Sequence, residues 1–287
     1  MNSYRAYLND SEEVRDVAET IWVEEKLAIS DYHRLRKEVT SIKDYTNVLK
    51  QQLETFNVDA NDIPIQLQRN EFGQRVLLAV GGEKGLVGDT HHRLLEKFGR
   101  MKTDYGRIYV IGRKMAKMMS ESGIKVDFLE ETSGNMSNVL GVAQDLLQRF
   151  ISDKELGLDG PVDVLYPSFV SVLEYVPTLK RLLPPLKSKD VNQQSTSEVV
   201  NAGILYEPSK RKVFLWVLQR YMELALYEIL IEAQLSILTA RMISMENAAS
   251  QAEEIAAKLR ARYSKERKRV ISQRQIEIFV AHSVIGG

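Results

Sequence analysis

Cysteine is absent from this chain of 287 residues, and neither sign of charge predominates, with 39 basic and 39 acidic side chains. The absence of cysteine excludes disulfides, thiol chemistry and metal sites built on thiolates. Charge balance removes the bulk attraction on which nucleic-acid binding depends. No apolar run reaches the roughly 18 residues of a membrane span, and the acidic N-terminus has no apolar core like that of a signal peptide. We therefore expect a cytoplasmic protein.

Helix-breaking residues are missing from both ends of the chain. All 7 prolines lie between Pro64 and Pro208, and 14 of the 16 glycines lie within the same central part. After Pro208 nothing interrupts a helix for about 75 residues, which corresponds to a length of about 110 Å. This distribution predicts helical flanks at 1–62 and 209–287 around a central domain at 63–208.

Both flanks carry apolar residues at a heptad spacing, which is typical of a coiled coil. We expect the two helices to pair antiparallel within one chain, because both would then leave the central domain at the same place. Packing of each helix on its own domain, or homodimerisation, is the alternative. Facing residue numbers should add up to about 266, which places Glu25 opposite Arg241, and pairing should end near Tyr263. The seam residues are Val14, Ala18, Ile21, Glu25, Ala28, Tyr32, Leu35, Val39, Ile42, Thr46, Leu49, Leu53 and Phe56, then Leu238, Met242, Met245, Ala249, Ala252, Ala256, Leu259 and Tyr263.

The central part alternates short apolar strands with helical segments. This alternation predicts a Rossmann-like α/β domain, with a mostly parallel sheet and helices on its faces. A polar stretch at 182–203 is interpreted as a loop. In chain order the segments are RVLLAV (strand), THHRLLEKFGRM (helix), RIYVI (strand), RKMAKMMSES (helix), KVDFL (strand), MSNVLGVAQDLLQRFI (helix) and VDVLYPSF (strand). The predicted fold class is α/β plus a long antiparallel coiled coil.

The glycine-rich loop GGEKGLVGD follows a strand and precedes a helix, where phosphate-binding loops occur. Such a loop needs lysine followed by serine or threonine directly after its last glycine, whereas Lys84 precedes Gly85. The spacing of the glycines also differs from that of dinucleotide-binding loops. A tight turn or a protein contact is therefore the favoured interpretation.

No other group of residues predicts catalysis or ligand binding. His91 and His92 are adjacent, so a helix directs them about 100° apart and away from a shared metal. His33 and His282 are isolated in the sequence, and no Ser/His/Asp or paired-carboxylate arrangement stands out. We therefore predict no catalytic residue, no cofactor and no metal site.

A basic stretch near the C-terminus is the strongest polar signal. The segment KLRARYSKERKRVISQR contains 8 basic residues and 1 acid, and an apolar segment that reaches Ile285 follows it. A solvated helix face or a nucleic-acid patch is one interpretation of such charge. The apolar continuation favours insertion into a socket on another protein.

These features together resemble the gamma subunit of the F-type ATP synthase. The block LYEPSKRKVFLWVLQRYMELALYEILIEAQLSILTARMISMENAASQAEEI resembles the family's C-terminal helix, which opens with Tyr-Glu-Pro and carries Ala-Arg-Met-x-x-Met near its middle. The stretches VDVLYPSFVSVLEYVPTLKRLLPP, GEKGLVGDTHHRLL and IGRKMAKMM resemble three further motifs, so the likeness extends from about Val76 to the C-terminus. There are departures: Val87 stands where cysteine is common, Asp89 where glycine is common and Lys268 where glutamine is usual. An acidic VAETIWVEEKLAI replaces a basic N-terminal motif.

The resemblance implies a rotor shaft that turns inside a hexamer of alpha- and beta-type subunits, where ATP is bound and hydrolysed. It also implies an epsilon-type subunit and a c-type ring at the foot, and a peripheral place on the cytoplasmic face of a membrane. The chain would bind no nucleic acid, insert into no membrane and be a non-catalytic subunit of a proton- or sodium-translocating complex. The expected contact residues are Arg260, Arg262, Arg267, Lys268, Arg269 and Gln273 for the catalytic ring, and Gly85, Leu86, Val87 and Gly88 for the foot.

Three other functions remain open from the sequence. The chain could be a coiled-coil scaffold that carries an α/β head, or a small nucleotide-binding enzyme built on the central domain. A third possibility is the rotor of an F-type-derived ATPase whose output is not ATP synthesis.

Overall fold

The structure, a computed structural model, describes residues 3–56, 70, 72–101, 104–130, 138–155, 158–184 and 206–285. The predicted loop at 182–203 lies mostly outside these residues. In chain order the elements are α1 (Ser3–Thr55), β1 (Arg75–Val80), α2 (Thr90–Arg100), β2 (Tyr105–Ile111), α3 (Arg113–Glu121), β3 (Phe128–Glu130), α4 (Val139–Glu155), β4 (Val162–Ser171), β5 (Glu174–Leu183) and α5 (Lys210–Ile285).

The sheet has five strands in the order β3-β2-β1-β4-β5. Neighbouring strands run parallel from β3 to β4, and β5 pairs antiparallel with β4. Strand β1 lies at the centre and is apolar on both faces, as a parallel strand covered by helices must be. The prediction of a mostly parallel α/β sheet is therefore confirmed.

Strand β5 is the element that sequence reasoning missed. Its sequence, EYVPTLKRLL, contains a proline and two adjacent bases, and only its last two side chains are buried. Proline cannot donate to a ladder hydrogen bond, so it is tolerated at the edge of a sheet and argues against a central strand. At the edge, Pro177 lies opposite Pro167 of β4.

The sheet packs helices on both faces. Helices α2 and α3 cover one face through a core that includes Leu77, Leu94 and Met115, all fully buried. On α4, Phe150 packs its ring edge-on against Tyr109 of β2, with the ring centroids 5.5 Å apart. The sheet is thus the middle layer of an α/β sandwich.

By internal contacts the chain divides into two compact units. One contains Met1–Ser30 and Met242–Gly287, and the other contains Asp31–Arg241 with the whole sheet. The division cuts both long helices, α1 of 53 residues and α5 of 76 residues. The predicted boundaries of shaft and α/β domain therefore stay a prediction.

Within each unit, α1 and α5 run antiparallel in the predicted register. In the smaller unit Ser11 donates to the Ala256 carbonyl at 3.0 Å, and the Tyr4 and Tyr263 rings lie 5.8 Å apart. In the larger unit the Tyr227 hydroxyl donates to Glu38. The numbers of these three pairs add up to 265–267, close to the expected 266.

The burial pattern follows the heptads. Every predicted seam residue on α1 and α5 is buried or half-buried. The polar seam residue Thr46 bonds back to the Ile42 carbonyl of its own helix at 2.9 Å, which satisfies its hydroxyl inside the interface.

Candidate functional site

The loop from Gly81 to Asp89 lies at the carboxyl end of β1. Its first amides are already bonded, because Gly81 N–H donates to the Ile111 carbonyl and Gly82 N–H donates to His91 Nε2, both at 2.9 Å. These are the amides that a phosphate-binding loop would direct at a ligand. The loop is therefore built as a turn that closes onto the protein.

His91 is the buried residue that fastens this loop. Its side chain is 3% exposed. Burial, reinforced by the nearby charges of Lys114, His92 and Arg241, lowers the pKa of His91 to about 4. The imidazole is therefore neutral near pH 7, and because Nε2 accepts a hydrogen bond, its proton resides on Nδ1.

Helix α5 fills the crevice where sheets of this type bind ligands, outside the strand ends at which the strand order reverses. At the end of β4, Glu232 Oε1 accepts bonds from Ser168 Oγ at 2.6 Å and from Phe169 N–H at 3.1 Å. A Cβ atom on Gly82 would lie 3.4 Å from Ile237 of the same helix. The position of a nucleotide in related architectures is thus occupied by the protein itself.

The outer part of the loop is exposed. Gly85, Leu86 and Gly88 face solvent, and Leu86 is 56% exposed with a positive φ of 58°. Val87, in contrast, is 3% exposed, and its carbonyl accepts from Thr90 Oγ1 at 2.7 Å. Of the four predicted foot contacts, Val87 therefore anchors the loop, and only the other three present side chains or α-carbons to a partner.

A polar clamp ties the end of the loop to β5. The Tyr175 hydroxyl donates to Asp89 Oδ1 at 2.5 Å, and Arg93 bonds Asp89 Oδ2 at 3.0 Å. The Arg93 guanidinium also lies 5.3 Å from the centre of the Tyr175 ring. The missed strand β5 is therefore what positions the predicted contact loop.

The last turns of α5 form a separate exposed surface. Beyond Tyr263 nearly all described side chains are exposed, including Ile278 at 70% and Phe279 at 77%. Arg269 pairs with Glu266 at 3.7 Å, and Gln273 Nε2 donates to Glu277 Oε1 at 3.2 Å. All six predicted ring-contact residues are exposed on this helix: Arg260, Arg262, Arg267, Lys268, Arg269 and Gln273.

The smaller unit carries two charge bands of opposite sign. The basic band, at 258–274 of α5, adjoins an acidic band formed by 10–24 of α1 and 242–257 of α5. Arg15 is the only base in the acidic band. Its exposed acids are Asp10, Glu12, Glu13, Asp16, Glu19, Glu24, Glu246, Glu253 and Glu254. The acidic residues of the N-terminal helix therefore belong to the acidic band, which is followed along the paired helices by the basic band.

Glu25 and Arg241, predicted to fix the register, belong to different compact units. Both side chains are half-buried, and the charge of Arg241 reaches His91 within its own unit. Their mutual pairing stays a prediction.

Neither a membrane span nor a metal cluster is found in the described ranges. No helix there is long and apolar enough to cross a bilayer. No three carboxylate or imidazole side chains within those ranges are grouped as metal ligands.

The sequence is similar to proteins of one family. The profile of a family described as ATP synthase matches residues 11–283. The ATP synthase gamma chain of Chloroflexus aurantiacus is 27% identical over 278 residues, which is 92% of each chain. The gamma chain of Roseiflexus castenholzii is 30% identical over 213 residues, covering 70% of this chain and 69% of the relative.

Solved structures share the fold. A chain of the Euglena gracilis mitochondrial ATP synthase rotor superposes with a TM-score of 0.66 at 14% identity, and the match covers 94% of this chain and 99% of that one. A central-stalk chain of the Tetrahymena thermophila mitochondrial enzyme gives a TM-score of 0.55 at 17% identity, with coverages of 81% and 99%.

Proposed function

Because the chain belongs to the ATP synthase gamma-chain family, we propose that it is the central rotor shaft of an F-type ATPase. It transmits torque between a catalytic hexamer of alpha- and beta-type subunits and a membrane ring of c-type subunits. It is a non-catalytic subunit: ATP is bound and hydrolysed in the hexamer, and this chain supplies mechanical coupling.

The observation that carries the proposal is the paired long helix. Helix α5 has 76 residues, or about 110 Å at about 1.5 Å per residue. The antiparallel pairing with α1 stiffens it, since two supercoiled helices resist twisting better than one. The 22 residues beyond Tyr263 continue as an exposed helix and provide the part that a surrounding ring can grip.

Surface chemistry supports a division of contacts along the chain. The basic band at the end of α5 suits acidic loops on the inner wall of the catalytic hexamer, with Arg267 and Lys268 as the leading contacts. The exposed loop residues Gly85, Leu86 and Gly88 suit the epsilon-type subunit of the foot. We further propose that the chain lies on the cytoplasmic face of a membrane, as a peripheral part of a membrane-bound complex.

Copurification tests this function. A tagged copy of the chain, expressed in its native host, should isolate alpha- and beta-type subunits together with a c-type ring. Isolation of a complex that lacks ATPase subunits would instead support the scaffold alternative.

Nucleotide titration of the purified chain tests the remaining alternative. We expect no ATPase activity and no binding of ATP at micromolar concentration, because the glycine loop is closed by His91 and the crevice is filled by α5. Micromolar affinity for ATP would show that the central domain is an enzyme or a nucleotide sensor.

A further inference from the structure

An open cleft lies between α4 and the first turns of α5, within the larger compact unit. Its lining residues are Gln144, Trp216, Gln219, Arg220 and Glu223, and it offers about 270 Å³. This volume accommodates one large side chain. It is small for a cofactor site. The cleft contains neither the loop at 81–89 nor the basic band.

Trp216 is the conspicuous residue of the cleft. It is 62% exposed, while its neighbours Val217 and Leu218 are buried. An exposed indole leaves a large apolar area in water, and tryptophan is enriched among the residues that dominate binding energy at protein interfaces.

Glu223 and the three side chains bonded to it form the floor of the cleft, and these bonds exist without a partner. Glu223 is 8% exposed, and its carboxylate accepts three hydrogen bonds, from Gln144 at 3.3 Å, Gln219 at 3.1 Å and Arg220 at 3.0 Å. The bond from Gln144 ties α4 to α5, and the two bonds within α5 fix the side chains of Gln219 and Arg220. A preorganised floor lowers the entropy cost of binding.

A basic turn adjoins the cleft. Lys210, Arg211 and Lys212 are exposed in the first turn of α5, which contains no acidic residue. The acid nearest in sequence is Glu207, before the helix begins. The helix N-terminus already carries partial positive charge, so three bases there weaken the helix and gather positive potential. Lys212, Trp216 and Arg220 follow each other at four-residue spacing and share one helix face.

We propose that this surface, the Trp216 cleft with its basic turn, docks an acidic segment of a partner protein. The partner inserts an apolar or planar side chain against Trp216 and places carboxylates on Lys210, Arg211 and Lys212. This inference rests on the proposed function in one respect: it takes the partner to be a subunit that meets the rotor. The surface is separate from the loop that we assign to the epsilon-type subunit.

A protein segment fits the cleft better than an anionic lipid surface does. A membrane would contact the basic turn, but the polar side chains of Gln144 and Gln219 line the cleft beside it. The bonded floor between two helices offers a position for one side chain, which is typical of protein recognition. A flat bilayer has nothing to place in it.

Photocrosslinking in the assembled complex identifies the partner. Because Trp216 is exposed, replacing it with a photoreactive phenylalanine analogue should preserve folding. We expect the crosslink to join this chain to one subunit, at a segment rich in Asp and Glu. A crosslink to a basic segment, or back to this chain itself, would overturn the proposal.

Two variants then measure the energetics with the crosslinked subunit. Trp216→Ala should weaken binding at least about 10-fold, as truncation of a central interface tryptophan does. The triple variant Lys210→Glu, Arg211→Glu and Lys212→Glu should weaken binding by a similar factor and remove the dependence of binding on salt concentration. It should still fold, because acidic residues at a helix N-terminus are favourable. The matched control reverses three exposed lysines elsewhere, Lys97, Lys117 and Lys125, and should bind as the wild type does.

Two further readouts separate the possible failures. Cosedimentation with vesicles of 30% phosphatidylserine in phosphatidylcholine should show no binding that depends on Trp216, and such binding without a protein crosslink would assign the cleft to lipid. Recovery of the catalytic hexamer with the Trp216→Ala chain tests the rotor function independently. If the hexamer is recovered and the acidic partner is retained undiminished, the docking proposal alone fails.

Discussion

At the scale of single residues, buried polar groups join elements that are far apart in sequence. Asp153 of α4 is 4% exposed and accepts bonds from Arg107 Nη1 at 2.6 Å and from the Tyr109 hydroxyl at 2.7 Å, both on β2. His91 of α2 also accepts a buried hydrogen bond, from Gly82 N–H of the glycine loop that directly precedes this helix. A buried acceptor of this kind is costly to remove, because its donors are then left without partners.

We expect Asp153→Ala to lower the free energy of unfolding by about 2–4 kcal/mol, because a buried hydroxyl and a guanidinium lose their acceptor together. Tyr109→Phe, which removes one donor and keeps the ring against Phe150, should cost only about 1 kcal/mol. Urea unfolding followed by circular dichroism measures both. Equal losses would show that packing rather than the carboxylate accounts for the effect.

His91 predicts a specific pH dependence. Its pKa is about 4 in the folded protein against 6.5 for the free side chain, so the unfolded state binds more protons between these values. Its contribution to stability is complete above pH 6.5 and is lost as the pH falls toward 4, by at most about 3 kcal/mol.

His91→Gln provides the test, because an amide oxygen can accept from Gly82 N–H but does not titrate. Denaturation midpoints between pH 7.5 and pH 4.5 should fall less steeply for this variant than for the wild type. His33→Gln, at an exposed position on α1, serves as the control and should keep the wild-type profile. Identical slopes for His91→Gln and wild type would place the pH dependence elsewhere.

At the scale of elements, the sequence predicts what depends on repetition and fails where a tertiary contact decides. The heptads locate α1 and α5, because a 3.5-residue apolar period is typical of a coiled coil, and the register follows once the two helix ends are placed together beside the central domain. The central strands β1 to β4 could also be predicted from the sequence, because short apolar runs alternate there with helical segments. Strand β5 and the two hydrogen bonds that Glu232 accepts from Ser168 and Phe169 have no local pattern, since both depend on which segment lies beside β4. The filled crevice therefore could not be predicted either.

Disulfide crosslinking checks the register directly. The chain has no cysteine, so two introduced thiols are the only ones present. Ala18 and Ala248 have numbers that add up to 266, and Ser11 with Ala256 confirms this register nearby. Cysteines at 18 and 248 should form a disulfide readily under mild oxidation, detected by a mobility shift. Efficient crosslinking of 18 to a cysteine near 225 would contradict the register.

Glu232 should be the main polar connection between α5 and the sheet. Glu232→Ala leaves the Phe169 amide and the Ser168 hydroxyl without their acceptor and should cost about 2–4 kcal/mol. Glu232→Gln keeps an acceptor oxygen and should lose less. Hydrogen exchange at the Phe169 amide gives the local readout, with accelerated exchange expected for alanine and near wild-type exchange for glutamine.

At the scale of the whole molecule, the exposed end of α5 changes in composition from a basic band to an apolar segment that includes Ile276, Ile278 and Phe279. We expect the basic band to make directional, charge-dependent contacts and the apolar segment to make contacts that do not depend on the rotation angle. Charges on a shaft interact strongly with charges on a surrounding wall, and this interaction changes as the shaft turns. An apolar bearing allows rotation at nearly constant energy because hydrophobic contact is non-directional.

We therefore expect Arg267→Glu with Lys268→Glu to slow ATP-driven rotation strongly, since both side chains are exposed and the reversal turns attraction to acidic loops into repulsion. Deletion of residues 280–287 should leave much of the rotation, because these residues only centre the shaft. Single-molecule observation of a bead attached to the foot measures both, with Lys258→Glu and Arg274→Glu at the edges of the band as the charge-matched control. The decisive comparison is between the double substitution and the deletion. If the deletion stops rotation while the double reversal does not, the torque is carried by the apolar end, and the basic band serves only to guide assembly.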